Sequence, residues 1–290
     1  MGSGTLEDDK SVALIREAYR RGIRHFDTAQ DYGMGHSEEL LGRGIEPFPE
    51  KVFVASKMYA AGKRETVAGV EQSLARLKRP WIDLFYVHWP KSGFDIRPMI
   101  EGLELLRAKG KIRLIGVSNF SVKDMAMASE AGRIDAHQLC YNLLWRYPER
   151  DVIPWCIEHG IAVVTFSSIA QGLLSDTPRG PDSFEVGDVR QKTLYYRSDV
   201  WPYVRDAVAA MREAAGRNAA SLSTLAIRWV LGRPGIVSSL VGARTWHQVE
   251  SMVTAGKGSN EPAVARELTQ LSSEAMRHIP DVGNIFLFYP

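Results

Sequence analysis

The chain has 290 residues, of which 45% are hydrophobic, 24% charged and 9% aromatic, a globular composition that suits one large core or two smaller ones. Its 36 Lys and Arg stand against 34 Asp and Glu, a formal charge of +2, which leaves no electrostatic footprint for a nucleic-acid partner. Two cysteines, Cys140 and Cys156, exclude a disulfide scaffold and fit a reducing, cytoplasmic compartment, while no apolar run approaches the ~20 residues of a membrane span and no signal-peptide pattern opens the chain.

In chain order, a helical pattern over 10–21 ends at Gly22 and is followed by a strand over 23–27, a helix over 37–43 and a strand over 52–57. The alternation continues with helix 63–77, strand 82–88, helix 99–109, strand 112–118, helix 122–131, strand 137–140, helix 152–158 and strand 161–166. Thr66 and Ser121 are candidate helix-opening residues, and Gly110, Gly132 and Gly160 fall just past last turns, where a left-handed residue is needed. An irregular stretch over 171–199, rich in Gly, Pro, Asp and Ser, precedes helices over 200–215 and 221–231 and a strand over 236–241. A loop of that length in a domain is functional or disordered.

Several strands read as continuous β-branched and aromatic runs, the pattern of parallel strands buried on both faces. Repeated strand–helix units then give an α/β fold with a parallel sheet, the (β/α)8 TIM barrel. Seven strands are counted where a closed barrel needs eight. The missing one belongs ahead of the first helix, so either residues 1–6 are a stub of it or the sequence lacks it.

Nucleotide and metal signatures fail. Gly33-Met34-Gly35 and Gly42-Arg43-Gly44 lack the third glycine and the strand–helix context of a dinucleotide fingerprint, no phosphate-loop pattern occurs, and the cysteines and seven histidines never adopt metal-ligand spacing. No metal is expected.

Chemistry instead gathers at strand carboxyl ends, where barrel enzymes keep it. Asp27 closes the first strand, Tyr32 follows five residues later, Lys57 closes the second and His88 the third. A lysine ending an apolar strand needs a counter-ion, and Asp27 is the neighbouring one. An ammonium about 4 Å from a phenol, at an effective dielectric near 20, favours the phenolate by roughly 4 kcal/mol, or about three pKa units, which makes Tyr32 a usable general acid–base. His88 would orient a carbonyl oxygen toward it.

With these residues the sequence resembles an aldo-keto reductase. The carrying motifs are Phe26-Asp27-Thr28-Ala29-Gln30-Asp31-Tyr32-Gly33, Ser37-Glu38-Glu39-Leu40-Leu41-Gly42, Ser56-Lys57, His88-Trp89-Pro90, Gly116-Val117-Ser118-Asn119-Phe120, Gln138 with Tyr141-Asn142, Gly172-Leu173-Leu174, Ala226-Ile227-Arg228-Trp229-Val230 and Val241-Gly242-Ala243-Arg244-Thr245, in family order. The resemblance implies one barrel domain over 1–290 and a catalytic Asp27, Tyr32, Lys57 and His88. It implies an NADP(H) cofactor, with NAD(H) the alternative: Ser118, Asn119 and Gln138 on the nicotinamide amide, Phe166 stacked on its ring, Ser167, Ile169 and Leu173 beside the pyrophosphate, and Gly242, Arg244 and Gln248 on the adenosine phosphate. Arg244 is the candidate for the 2′-phosphate.

Two departures stand out. Ser251-Met252 replaces the Glu-Asn pair of many relatives, which implies looser cofactor binding. The start is expected to be shortened, with Gly4-Thr5 either the first-strand pair or the loop after it. Tyr59, Trp89 and Trp145 are candidate substrate-lining residues, with Trp201, Tyr195 and Tyr196 as further aromatics, and the 184–190 loop resembles a segment that folds over the cofactor in some relatives. The implied function is NADPH-dependent reduction of a small aldehyde or ketone, sugar-derived compounds included. The alternatives are the reverse oxidation of an alcohol or sugar, an NADP(H)-binding redox-sensing regulatory subunit, and an inactive homologue. Neither a nucleic acid nor a membrane is an expected partner, and the oligomeric state is open.

Overall fold

In the computed structural model, which describes residues 5–185 and 187–287, all seven apolar runs form strands. The order is α1 (Thr5–Arg20), β1 (His25–Asp27), α2 (His36–Ile45), β2 (Phe53–Met58), α3 (Lys63–Leu77), β3 (Ile82–Val87), α4 (Arg97–Ala108), β4 (Ile112–Ser118), α5 (Val122–Ser129), β5 (Ala136–Cys140), α6 (Val152–Glu158) and β6 (Ala162–Phe166). Then come α7 (Trp201–Arg217), α8 (Leu222–Leu231), β7 (Ile236–Ser239), α9 (Trp246–Gly256) and α10 (Pro262–Met276). The strands form a seven-stranded sheet in sequence order. Each of the six β3 residues is buried, as expected of a parallel strand covered on both faces. Helix α4 buries Met99, Ile100, Leu103 and Leu106, one stripe at helical spacing.

Three expectations change. Thr5 and Leu6 belong to α1, whose first turn carries Glu7 and Asp8, acids that favour a helix amino end rather than a strand; Met1–Gly4, and so the Gly4 half of the proposed pair, lie outside the described residues. Thr66 does not open α3: it is buried inside it and its Oγ1 donates back to the Gly62 carbonyl at 2.7 Å, Gly62 being the cap. Ser121 does open α5, through a reciprocal capping box with Asp124. Helices α9 and α10 were missing from the sequence pattern, and α10 shows why: its buried stripe of Val264, Leu268, Ser272 and Ala275 is half small or polar, so it carries little apolar signal.

By contact density the chain divides into two units: the described residues up to Gln138 with Trp155–Ala162 and Ala243–Glu250, and Leu139–Pro154, Val163–Gly242 and the remainder from Ser251. In the first unit β1 to β5 pair in parallel, with Asp27 beside Ala55, Lys57 beside Tyr86, Tyr86 beside Gly116 and Ser118 beside Gln138. Because side chains alternate along a strand, this register puts Asp27, Ala55, Lys57, Leu84, Tyr86, Gly116, Ser118, Ala136 and Gln138 on one face. Its lower layer is apolar, with Ala55, Leu84, Tyr86 and Ala136 packed against Phe53, Leu114 and Ala162. Its carboxyl-end layer is polar. At 116 a Cβ would lie 2.3 Å from Tyr86 Cδ1, so only glycine admits the Tyr86 ring. The second unit pairs β6 with β7 in parallel and packs α7 against α10; Tyr141 stacks on Trp229 at 5.6 Å in its core. No helix among the described residues is long and apolar enough to cross a membrane.

Candidate active site

The chain leaves β1 at Asp27 and turns over Tyr32 through Gly33, Met34 and Gly35, all in the left-handed region at φ 61°, 53° and 93°, before entering α2. Neighbours fix that loop. Gln30 Nε2 donates to the Gly69 carbonyl at 2.7 Å and Ser73 Oγ at 2.8 Å on α3. Thr28 Oγ1 donates to Ser37 Oγ at 2.9 Å, and the fully buried Glu38 accepts from Ser56 Oγ at 2.6 Å and from Arg76 at 2.9 Å. The Ser37-Glu38 motif therefore serves to anchor the loop that carries Tyr32.

Lys57, 1% exposed, donates to Asp27 Oδ1 and to the Thr28 carbonyl at 2.8 Å, and its Nζ lies 4.9 Å from the centre of the Tyr32 ring. Burial opposes its charge, but Asp27 and then Tyr32 outweigh burial and hold its pKa above the usual lysine value. The expected ion pair is present. The expected depression of the Tyr32 pKa is not: burial of the hydroxyl pushes it up, Lys57 pulls it down, Asp27 and Asp31 push it up again, and the net direction is upward. An isolated ammonium would lower the phenol pKa, but burial, with Asp27 and Asp31 added, outweighs Lys57 here. Tyr32 is 41% exposed, so a substrate can reach it.

His88, just past β3, sets its ring 5.8 Å from Tyr32 in a T-shaped arrangement. Its Nδ1 lies 3.0 Å from Asp31 Oδ1, but neither atom makes an aligned hydrogen bond. Burial raises the Asp31 pKa, yet His88 beside it holds the net value below the usual range. Asp31 also accepts from Tyr59 at 3.3 Å, and Tyr59 stacks on His88 at 5.3 Å. Sequence reasoning gave Asp31 no role, although it sits one residue ahead of Tyr32 in the same motif.

The polar layer continues along the sheet. Asn119, in the left-handed region at φ 62°, a conformation asparagine tolerates, donates from Nδ2 to Ser118 Oγ at 2.9 Å and to the His88 carbonyl at 3.2 Å. These residues do not cap α5, since Ser121 does. Gln138 Nε2 donates to Asp27 Oδ2 at 2.8 Å. Strands β1 and β5 lie four pairings apart, about 19 Å in a flat sheet, so this contact requires the sheet of the first unit to curve around its polar face. Sequence reasoning brought together Asp27, Tyr32, Lys57 and His88, and the structure places them together; Gln138 joins them by way of Asp27.

Of the remaining candidates in the first unit, Tyr59 is 44% exposed, whereas Trp89 keeps only 5% of its surface open. Arg244 is exposed, and its backbone N–H and that of Thr245 donate to Gln248 Oε1 at 2.7 and 3.2 Å, so Gln248 caps the start of α9. In the second unit Phe166 faces Phe286 at 6.1 Å, an aromatic partner the sequence reading passed over. Ser167, Ala170, Gln171 and Gly172 all have positive φ (55°, 47°, 57° and 96°), a concentration of left-handed backbone typical of anion-cradling turns. Ile169 lies within this turn and accepts from Gly172 and Leu174 N–H at 2.9 and 3.1 Å, while Leu173 is buried. Open space surrounds a Cβ position at Gly172 and Gly242. Trp145 is 3% exposed and packs edge-on against Tyr147 at 4.9 Å. Tyr195 is fully buried and bonded to Asn142, and Tyr196 is 9% exposed; both are core rather than pocket wall. Among its described residues the 171–199 stretch holds three short 3-10 turns, and Arg190 pairs with Asp188 while lying 4.5 Å over the Phe184 ring. Val186 lies outside the described residues.

Residues 1–272 match the model of the Aldo/keto reductase family. Aldo-keto reductase YhdN of Bacillus subtilis (strain 168) is 32% identical to this chain, covering 86% of it and 79% of its own length. The glycerol dehydrogenase AKR11B4 of Gluconobacter oxydans superposes with a TM-score of 0.86 at 29% identity, over 96% of this chain and 89% of that one. An aldo-keto reductase from Klebsiella pneumoniae, solved in complex with NADPH, superposes with a TM-score of 0.77 at 26% identity, over 99% and 91%. The fold is the (β/α)8-barrel type of these structures, with seven strands among the described residues.

Proposed function

The chain belongs to the aldo/keto reductase family and is an oxidoreductase of it, and we propose that it reduces a small aldehyde or ketone at the expense of NADPH, with Tyr32 as the general acid. The observation that carries this reading is the Asp27–Lys57–Tyr32 cluster, an exposed phenol beside a buried ammonium held by a carboxylate: the ammonium stabilises the phenolate left once the proton passes to an oxygen. The NADPH-bound Klebsiella pneumoniae structure supports the cofactor.

The chain's own groups suit that cofactor. Ser118, Asn119 and Gln138 offer side-chain amides and a hydroxyl to the nicotinamide amide, and Phe166 offers a ring face. Ser167, Ile169 and Leu173 belong to the left-handed turn that suits a pyrophosphate. Gly242, Arg244 and Gln248 would hold the adenosine phosphate, where the exposed Arg244 guanidinium suits a dianion. The bound cofactor supplies the hydride. His88 orients the carbonyl oxygen, Tyr32 gives it a proton as carbon is reduced, and Lys57, fixed by Asp27, stabilises the phenolate that remains. Tyr59, with its open surface, is the proposed substrate contact; Trp89 and Trp145 are core by the same measure as Tyr196. The likeness to a glycerol dehydrogenase supports a second reading in which the same groups run backward on an alcohol.

A panel of aldehydes and ketones followed by NADPH absorbance tests the activity. Tyr32→Phe is expected to lower kcat by about 10²–10⁴-fold with NADPH affinity kept within about twofold; surviving activity removes Tyr32 as the acid. Arg244→Ala is expected to weaken NADPH about tenfold or more while leaving NADH nearly unchanged. Equal losses for both cofactors would remove the 2′-phosphate role.

A further inference from the structure

Directly beneath the polar layer, Tyr86 is fully buried and its hydroxyl finds no hydrogen-bond partner. A phenylalanine would fill the same space without a stranded donor, and stranding one is unfavourable. The fold nevertheless makes specific room for this ring, since Gly116 is the residue that lets it lie across β4.

What surrounds the hydroxyl suggests its use. Register sets Tyr86 beside Lys57 on the face that also carries Asp27 and Gln138. Burial raises its pKa, the Asp27 carboxylate raises it further, and the Gln138 side chain, close to the hydroxyl but short of an aligned hydrogen bond, lowers it; both groups are therefore its near neighbours. Asp27 spends Oδ1 on Lys57 and takes a donor from Gln138 on Oδ2. Gln138 is also a residue the proposed function assigns to the nicotinamide amide, and turning to that amide removes the Oδ2 donor.

We propose that Tyr86 is a positioning residue for Asp27, its hydroxyl supplying the hydrogen bond to Oδ2 when Gln138 turns from Asp27 to the cofactor. The inference rests on the cofactor role of Gln138 proposed above. It makes the Tyr86 hydroxyl idle without cofactor and engaged with it, so by linkage the hydroxyl strengthens cofactor binding without touching the cofactor.

The test is NADPH titration by fluorescence, with thermal unfolding of the cofactor-free protein, on wild type, Tyr86→Phe, Gln138→Ala and the double variant. Tyr86→Phe keeps the ring over Gly116, so its cofactor-free melting point should match or exceed wild type. Its NADPH dissociation constant should rise about tenfold, seen as a rise in the NADPH KM larger than any change in kcat. In the Gln138→Ala background Tyr86 serves Asp27 with and without NADPH, so adding Tyr86→Phe should change NADPH affinity little. An unchanged dissociation constant in Tyr86→Phe, or fully additive losses in the double variant, overturns the positioning role. If Gln138→Ala alone leaves NADPH affinity unchanged, the cofactor role of Gln138 fails and takes the inference with it. Weakened binding in Gln138→Ala with a silent Tyr86→Phe overturns the Tyr86 role alone.

Discussion

At the scale of single residues the site works through one compensated charge. Lys57 is buried and charged only because Asp27 meets it, and the pair presents Tyr32 with a dipole rather than a bare cation. The raised Tyr32 pKa has a defined consequence. A group whose folded pKa lies above its usual value of about 10 stays protonated through neutral and mildly alkaline pH, so reduction should hold across that range and fall only above it. Asp27→Asn removes a carboxylate that pushes the phenol pKa up, and leaves only burial and Asp31 against Lys57. The alkaline limb of kcat should then move to lower pH, and stability should fall by about 3–5 kcal/mol for a buried charge left unpaired; pH–rate profiles with urea unfolding check both, and a limb that stays in place refutes the account. The types Asp27, Tyr32, Lys57 and His88 were legible from strand ends alone. The direction of the Tyr32 shift was not, because it depends on burial and on the distance to Asp27.

Among elements, the β3–β4 pairing sets how much volume the polar layer rests on. The Tyr86 ring fills space that β4 leaves by carrying Gly116. Gly116→Ala should cost about 1–3 kcal/mol or more through overpacking, read as a lower urea midpoint with an unchanged slope, and the smaller Tyr86→Leu on top of it should recover part of that loss. If Gly116→Ala is as stable as wild type, the ring does not depend on the glycine. Element boundaries were legible where the apolar period is clear, as in α3 and α6, whose observed limits match the sequence reading even though Thr66 does not open α3. They failed at α1, where acidic residues open a helix in place of the strand stub, and at α10, whose buried face is too small and polar to announce itself.

For the whole molecule, the chain passes back and forth between its two units, returning to the first at Trp155–Ala162 and Ala243–Glu250. Neither unit is one continuous segment, and we propose that the chain unfolds as the single domain its length suggests, in one transition that far-UV and tryptophan signals report alike. The same melts carry a pH signature. His137 is buried, and burial lowers its pKa to about 3. The unfolded chain takes up that proton below its usual value of about 6.5 while the native state does not, so His137 leaves stability intact above pH 6.5 and costs up to about 1.4 kcal/mol per unit as pH falls toward 3. His137→Gln, although less stable at neutral pH because the Phe120 N–H loses its ring acceptor, should show a flatter decline between pH 6.5 and 4.5; an equal slope would mean another group is responsible. The sequence by itself determined the α/β class, seven strands and the ionisable types that gather at the strand ends, since period, caps and strand-end chemistry are local along the chain. Only the tertiary structure decided that Gln138 meets Asp27 across the curved sheet, that Tyr86 lies idle beneath them, and that burial outweighs Lys57 at Tyr32. These depend on distances and desolvation between residues far apart in sequence, which no local pattern encodes.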